Sequence, residues 1–89
     1  MSLMDIALSM GVMQSQLEDL LAGKVSIGVA SRLGVMQFDV QRFIDGYVSL
    51  GMASTLGTDQ SSAQELRNAI GEDGAIGFVI GLCIGRNAV

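Results

Sequence analysis

The chain carries one stretch three times. Residues 28–47, GVASRLGVMQFDVQRFIDGY, match residues 5–24, DIALSMGVMQSQLEDLLAGK, and residues 51–70, GMASTLGTDQSSAQELRNAI, at a constant offset of 23 residues. Each copy has an alanine (Ala7, Ala30, Ala53), a glycine four residues on (Gly11, Gly34, Gly57) and a glutamine three further (Gln14, Gln37, Gln60). Apolar pairs follow at Leu17/Leu20, Val40/Phe43 and Ala63/Leu66. Such a period narrows the fold sharply, because a short repeated unit has to bury its apolar face on its neighbours.

Within one copy, Val29, Ala30 and Leu33 mark the inner face of a short helix, and Gly34 can end it with φ > 0. Val35 then drops into the core from the turn. Val40, Phe43, Ile44 and Tyr47 fall at i, i+3, i+4, i+7, the pattern of an amphipathic second helix. The expected fold is all-α: one domain over 1–89, a small bundle of helix-turn-helix-like hairpins over 1–23, 24–46 and 47–69, and an apolar tail over 70–89. The first hairpin is expected as a helix over 2–10, with Ile6, Ala7 and Met10 inward, then a helix to Ala22 burying Leu17, Leu20 and Leu21. Helices over 26–33, 37–48, 50–56 and 60–70 follow. Ser15/Glu18 and Ser62/Glu65 have capping-box spacing. Arg67, where the second copy has Ile44, implies either a helix at an edge, the preferred reading, or a carboxylate partner.

Two short helices on a tight glycine turn resemble the helix-turn-helix motif of bacterial repressors. The opening MSLMDIALSMGVMQSQLEDLLAGKVS is similar to the N-terminal motif of lac-repressor-type regulators, and residues 5–47 resemble the last four helices of a lambda-repressor-like domain. AQELRNAIG is similar to segments of the YidB-like bacterial proteins. The repressor resemblance implies that the second helix of the second copy would face a DNA groove, with Gln37, Gln41 and Arg42 outward and Arg32 and Lys24 on phosphates. The net charge of −4, from nine acidic and five basic residues, disfavours nucleic acid. A solvated helix face is therefore the preferred reading of Gln37 and Arg42.

Nothing in the chain assembles catalytic chemistry. With no histidine and one cysteine there is no Cys/His metal set and no His-activated nucleophile. The neighbouring carboxylates Glu18-Asp19 and Glu72-Asp73 point to different sides of a helix. No Lys-Ser/Thr follows the glycines to make a phosphate loop. No enzyme activity and no cofactor are expected. Cys83 reads as a small buried apolar side chain and, being single, suits a reducing cytoplasm.

The tail segment GAIGFVIGLCIG, Gly74–Gly85, has no charge and is shorter than the ~20 residues that span a bilayer. Its β-branched residues would suit a buried strand, but the spacing of Gly77, Gly81 and Gly85 favours a helix with a glycine stripe for close contact. Residues 86–89 read as a frayed end. Hydrophobic residues make up 49% of the chain, charged ones 16%, and the mean hydropathy is +0.49, more apolar surface than a small monomer hides. A homodimer or higher oligomer is expected, with Gly77, Phe78, Gly81, Leu82 and Gly85 of the tail and Met36 and Phe38 of the second turn at its interface, and no membrane partner. Met4 and Tyr47 are expected in the core. The function these features favour is a non-enzymatic interaction module, with a small DNA-binding regulator as the alternative.

Overall fold

The computed structural model describes all of residues 1–89 and consists of helices without strands. In order they are α1 (Leu3–Met10), α2 (Gln14–Leu21), α3 (Ile27–Leu33), α4 (Gln37–Asp45), α5 (Leu50–Leu56) and α6 (Gln60–Asn87). The tail is helix, not strand.

The first helix of each hairpin stops in the same way. Gly11, Gly34 and Gly57 have φ of 76°, 68° and 77°, the left-handed conformation that only glycine adopts without cost. The following residue then donates its N–H back to the alanine carbonyl: Val12 to Ala7, Val35 to Ala30, Thr58 to Ala53. This is the Schellman closure, and it satisfies helix-end carbonyls that would otherwise be unpaired. The three alanines are buried, where a larger side chain would hold the helices apart.

Helix starts differ from the expected ones. Ser2, Ser26 and Ser49 cap α1, α3 and α5 through their hydroxyls. The second helices begin at Met13, Met36 and Asp59, so Ser15 and Ser62 are not caps. Asp59 accepts from the Ser62 N–H, which together with the Ser62 hydroxyl holds its carboxyl below the usual value. The fourth helix stops at Asp45, because Gly46 at φ 118° turns the chain, and Tyr47 lies beyond it at the surface. Leu21, Leu66 and Met4 are exposed as well, contrary to expectation.

Arg67 is the clearest reversal. It is 7% exposed, not at an edge. Its guanidinium donates to the carbonyls of Phe43 and Ile44, the latter at 2.7 Å, and lies 6.0 Å from the Phe43 ring centre. A buried cation is tolerable here because the carbonyl end of α4 carries partial negative charge.

Residues 72–87 of α6 close the bundle. Ala75, Ile76, Val79 and Cys83 form one buried stripe, and α6 as a whole touches α1, α3, α4 and α5. Phe78 meets the buried Phe43 ring edge-on at 6.5 Å. The end is not frayed before Ala88: the Asn87 amide donates to the Leu8 and Ser9 carbonyls at 3.4 and 3.1 Å, and Arg32 Nε donates to the Gly11 carbonyl at 2.8 Å. By length and hydropathy α6 passes as a membrane span. A break at Gly71, however, divides it into pieces over 60–70 and 72–87, each under the ~20 residues a span needs.

Substituting Gly34→Ala is expected to cost about 1–2 kcal/mol, since alanine would be forced into the left-handed region. Urea unfolding checks this; an unchanged midpoint contradicts it.

Candidate interaction surface

Two kinds of polar group were candidates for contact with a partner, and the fold uses most of them internally. Gln41 accepts from the Val25 N–H at 2.8 Å and donates to the Gly23 carbonyl at 2.9 Å, while Gln37 donates to the Val25 carbonyl at 2.8 Å. These two side chains clamp the loop between the first and second hairpins. Gln64 and Gln60 do the same to the next loop, holding Val48 N–H, Gly46 carbonyl and Val48 carbonyl at 2.9, 2.9 and 2.8 Å. The matched pair Gln41 and Gln64 escaped the reading of the repeat, though both stand at equivalent positions of their copies. That identity was the available signal.

The other proposed DNA contacts fare similarly. Arg32 is tied to Gly11. The Arg42 guanidinium lies over the Phe38 and Tyr47 rings, 5.3 and 4.0 Å from their centres, between two aromatic side chains. Lys24 is exposed. Lys24 thus stands in the loop that Gln37 and Gln41 clamp, with the amides of both glutamines turned onto the backbone, while Arg32 serves the end of α1.

The proposed interface residues fall on two patches. Met36 and Phe38 are exposed at the start of α4, next to Arg42 and Tyr47. Gly77, Gly81 and Gly85 lie on the outer side of the tail helix, flanked by Phe78, which reaches in to Phe43, and by Leu82, half-buried against the core. Gly77, Gly81 and Gly85 are exposed, and a Cβ built on any of them would meet nothing within 4 Å. The glycine stripe therefore makes no close contact inside this chain. Phe78, Gly81 and Leu82 line a shallow depression of about 220 Å³ beside it. Ile84 continues the apolar surface, and no charged residue interrupts it between Gly74 and Gly85.

Cys83 sits on the opposite, buried side, its sulfur 3.9 Å from the Val29 carbonyl oxygen. Burial pushes the thiol above its ordinary value of 9.0, with Arg32 and Arg86 opposing the shift. The buried thiol is thus a packing group. No family model, curated protein or solved structure matches this chain.

Two outcomes follow. Gln64→Ala, which leaves a half-buried N–H and carbonyl unpaired, should cost about 2 kcal/mol in urea unfolding; a loss too small to resolve contradicts the clamp. The raised Cys83 thiol contributes stability that is complete below the unfolded-state value and is lost as pH rises through the folded one. Native protein at pH 8 should therefore resist maleimide labelling that denatured protein undergoes at once.

Proposed function

We propose that this protein is a non-enzymatic module that associates with further copies of itself through the open side of the tail helix. One observation carries the reading: three glycines stand bare on the solvent side of a helix, directly opposite its buried stripe. Each mid-helix glycine costs about 1 kcal/mol relative to alanine. In a lone chain that cost has no return, since nothing approaches the missing Cβ atoms. Against a second helix it does, because glycines let two backbones approach closely, and Phe78, Leu82 and Ile84 supply apolar area on either flank. A second copy of the same face meets these needs without burying a charge. Met36 and Phe38 provide a second apolar patch on which assembly beyond a dimer, or a separate protein partner, would draw.

The DNA-binding alternative has less to stand on. Gln37 and Gln41, its base readers, have their amide groups engaged by the backbone of their own chain. Arg32 is likewise occupied, and the chain remains acidic overall.

Sedimentation velocity over a concentration series tests the proposal. Wild-type protein should sediment as a dimer or larger. Gly81→Leu should sediment as a folded monomer, since an isolated chain has room for the added side chain. A wild-type chain that stays monomeric at the highest concentration contradicts the reading, as does a Gly81→Leu chain of unchanged mass.

A further inference from the structure

Gly71 has a backbone unlike that of any capping glycine in the molecule. Gly11, Gly34, Gly46 and Gly57 combine positive φ with ψ between 3° and 32°, the ordinary left-handed turn. Gly71 has φ 71° and ψ −177°, with helical residues on both sides. That region is open essentially to glycine alone. It interrupts what would otherwise be one helix from Gln60 to Asn87. The loops at 23–25 and 46–48 are clamped by glutamines. Gly71, by contrast, stands in open space, with nothing within 4 Å of a Cβ built there.

We infer that Gly71 is the hinge that folds residues 72–87 back onto their own core, so that a residue forced to be helical there makes two copies of the chain exchange that segment. In the exchanged form α6 runs straight, and its tail enters the groove between α1, α3 and α4 of the second copy while receiving that copy's tail in return. Every contact of the tail is regained in the partner: the Ala75, Ile76, Val79 and Cys83 stripe, the edge contact of Phe78 on Phe43, and the Asn87 amide on the carbonyl end of α1. Only the hinge changes, from a glycine-only backbone to a helical one. A straight helix over Gln60–Asn87 is about 42 Å long at ~1.5 Å per residue. The single chain measures 35 Å along its longest axis, so a straightened tail projects beyond its own core. The groove it leaves is shaped to this tail, which makes a second copy the occupant. The exchange needs no contact through the bare glycines of the outer side, so it stands or falls apart from the association proposed above.

The test uses the full chain made by chemical synthesis with L-alanine or D-alanine at position 71, both in the Gly81→Leu background so that association through the outer side is removed. D-alanine accepts φ near +71° with extended ψ, because that is the mirror image of an extended L-residue. L-alanine does not. The Gly71→Ala chain should dimerise with unchanged helix content, its dissociation constant lowered about tenfold or more per hinge; the D-alanine chain should stay monomeric. A folded monomer with L-alanine overturns the inference, as does equal dimerisation of both chains. Should the L-alanine chain fail to fold, refolding Val29→Arg and Val79→Arg chains together decides the matter. The first keeps a sound tail and the second a sound groove, so exchange builds one intact core from two damaged chains. Recovery of cooperative unfolding in the mixture supports exchange, and its absence overturns it.

Discussion

Five of the six helices are too short to stand alone. They run to between seven and nine residues, whereas an isolated helix in water needs about 12–15 to be even marginally stable. Their stability has to come from tertiary burial, and α6 is the one element that packs on four of them, α1, α3, α4 and α5. The stripe of Ala75, Ile76, Val79 and Cys83 is a narrow ridge of small and medium side chains, which allows α1, α3 and α4 to pack close on one side of a single helix. Removing any of these short helices from that ridge would expose apolar area with no local structure to compensate.

The same dependence explains where the cations go. A short helix has a large share of its carbonyls at its end, and the chain meets them from elements later in the sequence. Arg32 and Asn87 serve the end of α1, and Arg67 serves the end of α4. Glutamines hold the loops between hairpins. Arg67 is committed inside and Arg32 is tied to Gly11, while Lys24, Arg86 and Arg42, the last stacked on its aromatics, remain at a surface where carboxylates outnumber them. A surface of that net sign repels phosphate.

The helical architecture was legible because two signals agreed: apolar periodicity and a glycine at each hairpin turn. The inner residues Ala7, Met10, Leu17, Leu20, Val29, Ala30, Leu33, Val40, Phe43 and Ile44 are buried as the spacing indicated. What failed involved polar groups acting over long sequence distance. Ser15 and Ser62 had the right local spacing for caps, but the chain enters these helices earlier, at Met13 and Asp59. Arg67 looked like an edge residue because its partners, the carbonyls of Phe43 and Ile44, are backbone atoms that no pattern of residue types reveals. Tyr47 fitted the helical period, yet Gly46 ends the helix first. For the tail, the glycine spacing correctly indicated a helix, but only the fold shows which side is turned inward. It is the side without the glycines.

The tail helix is what allows the short helices to exist. The most direct test of that role is the unfolding of a chain ending at Ile70, followed by circular dichroism in urea with and without a synthetic peptide of residues 72–89. The shortened chain should lose its cooperative transition, and the peptide should restore it. A shortened chain that keeps a sharp transition and near-native helix content on its own would contradict that role.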